Sequence, residues 1–146
     1  MGSAKPLSDG QGLPLGTLGV CGIGQIGAAV AVSFMRAGYR VLLWARNPQK
    51  LEAVQQTLDG LAAWMDEHVG PSPRSDGRIE RVEDLSAIDE QAELVMDGIA
   101  EDMAQKVDLF CRLPGCARRE AIFITTTSGL SITQLGRESG RGHLLV

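Results

Sequence analysis

At 146 residues the chain has the size of one domain and is long enough to bury a core. Its 44 % apolar and 22 % charged residues are ordinary for a globular protein, and a net charge of −4 argues against non-specific nucleic-acid binding, which needs a basic surface. No apolar run approaches the length of a membrane span, and no signal-peptide pattern is present.

Residues 1–16 are rich in Gly, Ser, Pro and Asp without period and read as a flexible leader, with one domain expected over 17–146. Leu18 to Cys21 reads as a strand that is apolar on both faces. The glycines Gly22, Gly24 and Gly27 follow it, and a helix is expected from Gln25 to Ala37, ended by Gly38. Ile26, Val30, Phe34 and Ala37 share its expected buried face. In this order the first glycine permits a tight turn, the second lets backbone approach a pyrophosphate, and the third lets the helix pack on the strand. Gln25 and Ile26, between the last two glycines, open the helix whose unpaired N–H groups would face the phosphates. The alternative is a Gly-rich turn with a purely structural task.

Arg40 to Ala45 reads as the second strand. Asn47 and Pro48 give a cap and a first-turn proline for a helix whose stripe is Leu51, Val54, Leu58, Leu61 and Met65. Gly70-Pro71-Ser72-Pro73 is a break, and Ile79 to Val82 is a candidate short strand. Leu94 to Met96 reads as a fourth strand, followed by a loop and a helix from about Asp102 to Leu113, stopped by Pro114-Gly115. Ala121 to Thr125 is the fifth strand, ending in Thr125-Thr126-Thr127-Ser128-Gly129. A short helix capped by Ser131 follows, and His143 to Val146 opens another apolar run.

Strands alternating with helices predict an α/β fold with a doubly wound parallel sheet, in which ligands bind at the carboxyl ends of the strands. The fingerprint expects an acidic residue at Ala45 to bond a ribose 2′-hydroxyl, and alanine cannot do so. Arg46 stands next. Its guanidinium either meets a 2′-phosphate, which favours NADP, or stacks on adenine without discriminating. Glu101 and Lys106 read either as an exposed charge pair or as a pair bracketing the nicotinamide ribose. Ser128 reads as a turn hydroxyl or a substrate contact. His68 and His143 read as surface residues. Cys21, Cys111 and Cys116 lack metal-ligand spacing, so no metal site and reduced thiols in a cytoplasmic setting are expected.

Two segments narrow these alternatives. Asp97-Gly-Ile-Ala-Glu101-Asp-Met-Ala-Gln-Lys106 and Ile124-Thr-Thr-Thr-Ser128-Gly-Leu-Ser-Ile132 resemble the NAD-binding domain of the 3-hydroxyacyl-CoA dehydrogenase family. The resemblance runs from Thr17 to the end and implies a Rossmann-type dinucleotide-binding fold. It implies that Glu101 and Lys106 hold the nicotinamide-side ribose and that Ser128 helps position the substrate oxygen. Thr126 falls where the family usually carries asparagine near the nicotinamide, and Ala45 falls at the family's acidic position. The cofactor implied is NAD, with NADP left open by Arg46.

The implied activity is hydride transfer between a 3-hydroxyacyl substrate, an acyl-CoA, and nicotinamide. The arm after the second strand is shorter than the family hairpin that borders coenzyme A. A related 3-hydroxyacid or polyol dehydrogenase without coenzyme A, and a dinucleotide-binding module without turnover, are the alternatives. The family's Gly-x-His-Phe-x-Asn-Pro motif, with its catalytic histidine, would fall past Val146, as would the helical second domain through which the family forms homodimers. The resemblance therefore implies the cofactor-binding portion of such an enzyme, without turnover of its own.

Overall fold

Five parallel strands in the order β3-β2-β1-β4-β5 carry helices on both faces, in a computed structural model that describes residues 14–146. The strands are β1 (Thr17–Cys21), β2 (Arg40–Trp44), β3 (Arg78–Arg81), β4 (Leu94–Asp97) and β5 (Ile122–Thr125). The helices are α1 (Gln25–Arg36), α2 (Pro48–Ala53), α3 (Gln55–His68), α4 (Ser86–Gln91), α5 (Met103–Cys111), α6 (Pro114–Arg118) and α7 (Ile132–Ser139). The doubly wound architecture predicted from the alternating pattern is the one observed. Residues 1–13 of the expected leader lie outside the described residues. Of its last residues, Leu15 donates its N–H to Gly38 O and Gly16 O accepts from Arg40 N, so main-chain bonding begins two residues before β1.

The sheet divides two cores because successive strand residues point to opposite faces. Leu18, Val20, Val41, Leu43 and Met96 face α1, α2 and α3. Cys21, Leu42, Trp44, Val95 and Phe123 face the layer from α4 to α7. The central strands are apolar on both faces because both are covered. Leu145 forms a parallel bridge with Phe123, so the final apolar run lies beside β5, where a sixth strand of this topology would run.

Several local expectations are corrected. The buried residues of α1 include Gly27, Ala28, Ala31 and Val32, while Ile26 is 58 % exposed and Ala37 is exposed. The helix sits so close to the sheet that small residues must face it, which turns the large ones to its flanks. The Leu51–Met65 stripe is split into α2 and α3 at Val54; Leu51, Val54 and Leu58 are buried, whereas Leu61 and Met65 are half-buried. Helix α5 ends at Cys111, before Pro114 as expected, but Pro114 also opens the further short helix α6, in whose first turn a missing N–H costs nothing. A Cβ on Gly115 would lie 2.7 Å from Asp89 O, so α6 is pressed against α4. Helix α4 was not legible, because six residues are too few to show a period.

Candidate functional site

The turn after β1 is built by contacts that only glycine permits. Gly22 has φ +120°, and a Cβ there would lie 2.4 Å from Gly98 O. A Cβ on Gly27 would lie 2.1 Å from Gly22 O, so α1 starts directly against the turn. Gly24 differs: an added Cβ would meet nothing within 4 Å. Gly24 is the N-cap of α1 with no side-chain cap, and the first turn holds no acidic residue. The N–H groups of Gln25, Ile26 and Gly27, at the first three helical positions, have no intrahelical acceptor. Together with the helix dipole they form an anion-binding end.

Gly24, Gln25, Ile26, Glu101, Thr126 and Ser128 line one cleft of about 390 Å³, with the Gly98–Ile99 turn as its floor. Gly22 and Gly27 lie buried beneath it. A second hollow shares Gly24 and is bordered by Lys50 and Thr57. Arg46, exposed just past β2, donates from Nη1 to Gln105 Oε1 at 3.0 Å and so reaches α5. Ala45, at the position expected to read a ribose, is buried.

Glu101 is exposed, and its Oε1 is fully engaged by the loop after β5. It accepts the Thr127 hydroxyl, the Ser128 N–H at 3.2 Å and the Gly129 N–H at 3.1 Å. The Thr127 hydroxyl, and then the Gly129 and Ser128 N–H groups, hold this carboxyl below the usual range, so it is an anion at neutral pH. Ser128 is exposed, and Thr126 donates its hydroxyl to Asp97 O at 2.9 Å.

Lys106 is neither in an exposed pair with Glu101 nor, as the resemblance implies, at the cleft surface against the ribose: it does not line the cleft. Its side chain is fully enclosed, and Nζ pairs with Asp97 Oδ1 at 2.5 Å. The ammonium stands under the cleft because position 106 falls on the inward face of α5, near Leu109 and Phe110. Asp97 and Thr125, whose hydroxyl donates to Asp97 Oδ2 at 2.6 Å, are residues to which the sequence alone assigns no individual role, although Thr125 opens the polar cluster at the end of β5. A signal was available: Asp97 ends the apolar run Leu94-Val-Met, and a lysine falls on the apolar stripe of the following helix. A buried carboxylate at such a position requires a cation. Burial, and then nearby Asp97, push the Cys21 thiol far up, which leaves it neutral.

From Thr17 to the last residue the chain matches the family described as "3-hydroxyacyl-CoA dehydrogenase, NAD binding domain" (residues 17–146). The chain belongs to this family. It is similar to the peroxisomal bifunctional enzyme of Cavia porcellus, 28 % identical over 142 residues, covering 91 % of this chain and 19 % of that protein. It is also similar to 3-hydroxyadipyl-CoA dehydrogenase of Escherichia coli (strain K12), 29 % identical over 129 residues, covering 84 % of this chain and 26 % of the relative. Among solved structures it resembles 3-hydroxybutyryl-CoA dehydrogenase from Escherichia coli K12, with a TM-score of 0.73 and 27 % identity over 91 % of this chain and 29 % of that one. The chain thus spans about a fifth to three tenths of the length of these relatives.

The family's dinucleotide is NAD, and the residues present fit it. The open Gly24 position and the uncapped amides of α1 suit a pyrophosphate, and the anionic Glu101 suits hydroxyl donors of a ribose. Neither histidine lines the cleft. His68 is on α3, where Nδ1 bonds Trp64 O at 2.8 Å and the ring stacks on Trp64; His143 is exposed near the last residue. Among the described residues no cluster of His, Cys, Asp and Glu could hold a metal ion, and no helix is long and apolar enough to cross a membrane.

Proposed function

We propose that this chain is the cofactor-binding portion of an NAD-dependent oxidoreductase acting on a 3-hydroxyacyl-CoA. The carrying observation is the uncapped end of α1 at Gly24, opening into the same cleft as Glu101 and Ser128. Bound NAD would supply hydride transfer at its nicotinamide ring. The chain's own residues then have separate tasks. The amides of Gln25, Ile26 and Gly27 hold the pyrophosphate. Glu101 Oε2, left free by the contacts at Oε1, accepts from the nicotinamide-side ribose. Ser128, on the cleft edge, orients the substrate oxygen, and Thr126 keeps the turn after β4 in place through Asp97 O.

The names of the relatives support an acyl-CoA substrate and a place in fatty-acid metabolism. The hollow bordered by Lys50 and Thr57 supports it too, because it offers a cation and a hydroxyl beside the phosphate end of the cleft. NADP is admitted at the adenosine end: Ala45 offers no carboxylate to repel a 2′-phosphate, and Arg46 is within reach of that end. Oxidation of a secondary alcohol needs a base for the hydroxyl proton, and the cleft among the described residues holds no histidine. The chain on its own therefore binds cofactor without turning it over. A homodimer formed through further residues, and a reducing, cytoplasmic setting consistent with three unpaired cysteines, belong to the same proposal.

Calorimetry of the chain with NAD and with NADP tests the core of this reading. Saturable binding of a nicotinamide dinucleotide is expected. No binding of either would overturn it.

A further inference from the structure

The most deeply buried charged pair in the described residues lies directly beneath the cleft. Lys106 Nζ and Asp97 Oδ1 are 2.5 Å apart, and both side chains are fully enclosed. Asp97 is the last residue of β4 and Lys106 belongs to α5, so the pair joins strand end to helix. The other carboxylate oxygen takes the Thr125 hydroxyl, from the last residue of β5. Asp97 pairs with Thr125 in the final rung of the β4–β5 ladder.

Beyond that rung no strand pairing holds the chain until α7 begins at Ile132. Side-chain contacts take over instead. Thr125 Oγ1 accepts the Thr127 N–H at 3.4 Å, and Thr127 donates its hydroxyl to Glu101 Oε1. The Asp97 carbonyl accepts the Thr126 hydroxyl. An unbroken polar run leads from the dry ion pair to the carboxylate at the mouth of the cleft.

Such a pair is a weak source of stability, since apolar residues of like volume commonly serve as well. What it supplies is direction, because a carboxylate held by one ammonium and one hydroxyl has a single orientation. We propose that Asp97 and Lys106 are positioning residues for the nicotinamide end of the cofactor cleft, with Lys106 acting through Asp97 and Thr125 on the Thr126–Gly129 loop and Glu101. This rests on the dinucleotide reading of the cleft. The adenosine and phosphate end is formed by other groups, the amides of α1 and the residues after β2; these touch the segment from Asp97 to Lys106 through Gly98 and Gln105 and not through the Asp97 or Lys106 side chains.

The test compares two ligands on the 146-residue chain. NAD reaches both ends of the cleft, whereas ADP lacks the nicotinamide ribose. The paired variant Asp97→Asn/Lys106→Met removes both charges together and avoids leaving one uncompensated. Calorimetry is expected to show NAD affinity lowered by about tenfold, as for one or two misplaced polar contacts, with ADP affinity within about twofold of wild type. Equal losses for both ligands would make the pair merely structural and overturn the proposal, as would unchanged NAD affinity. If circular dichroism shows the paired variant unfolded, Thr125→Val is read by the same comparison, with about a threefold loss for NAD alone and recovery in Thr125→Ser. Wild-type protein that binds neither ligand would overturn the cofactor reading and this inference with it. Wild-type binding with unaltered variants overturns this inference alone.

Discussion

Gly24 and Gly27 stand three residues apart in one turn, yet the structure assigns them opposite sensitivities. A Cβ at Gly27 would lie 2.1 Å from the carbonyl oxygen of Gly22, about 1.3 Å short of ordinary contact at 3.4 Å. That oxygen belongs to backbone held at φ +120° and cannot rotate aside as a side chain could. Overpacking of this kind costs about 3 kcal/mol, offset by about 1 kcal/mol for alanine's better helix propensity. Gly27→Ala should therefore lose about 2 kcal/mol, lowering the melting temperature by roughly 6–8 °C for a domain of this size. Gly24→Val meets open space, and its extended backbone suits a branched residue. A poorer N-cap and a less flexible unfolded chain roughly cancel, leaving stability within about 1 kcal/mol of wild type. The branched side chain fills the place where phosphate must meet the amides of α1, so NAD affinity should fall on the order of 100-fold, about 3 kcal/mol. Denaturant unfolding and calorimetry on both variants decide the matter. Wild-type NAD affinity in a folded Gly24→Val protein would refute the phosphate role, and an unaltered midpoint in Gly27→Ala would refute the packing account.

Three further outcomes are expected. Arg46→Ala should weaken NADP binding by about 1.5–3 kcal/mol, the worth of a charge-assisted bond, and leave NAD nearly unchanged; equal losses would mean that Arg46 only stacks on adenine or tethers α5 through Gln105. The Glu80 carboxyl, bonded by Arg40 and Arg78, is held down at about 2. Its folded value lies below the unfolded one, so its stabilisation is complete above about pH 4.5 and is lost as pH falls toward 2. Unfolding midpoints of wild type and Glu80→Gln should accordingly converge at low pH, and a gap that persists at pH 2 would contradict the assignment. Finally, the 146-residue chain should show no NAD- or NADP-linked turnover with 3-hydroxybutyryl-CoA. A positioned base is usually worth about 10²–10⁴-fold, and an exposed site loses orientation besides. A rate matching that of a longer form carrying the family's histidine motif would require a base within these residues.

Much of this was legible in the chain itself. Apolar strand runs between helical patterns, the caps Asn47 and Ser131, and the three glycines are local features, and the strands and helices they mark form where the sequence places them. Short helices α4 and α6 are not legible because neither is long enough to carry a period, and α6 packs closely on α4 at Gly115. The buried face of α1 differs from the one periodicity predicts for a different reason. Periodicity picks out large apolar residues, but the distance set by the Gly22–Gly27 contact demands small ones against the sheet.

The candidate site divides along the same line. The order strand, glycine turn, helix, and the Glu101 and Ser128 segments, pointed to the strand ends, where Gly24, Glu101 and Ser128 do line one cleft. Sequence could not decide which way a charge points. Lys106 lies five residues from Glu101, and a linear reading leaves the two as an exposed pair or a ribose-bracketing pair; the position of Lys106 on the apolar stripe of α5 hints at burial without naming its partner. Only the packing of α5 on the sheet turns Lys106 inward, where losing water is tolerable because Asp97 and Thr125 from two different strands are already there to receive it.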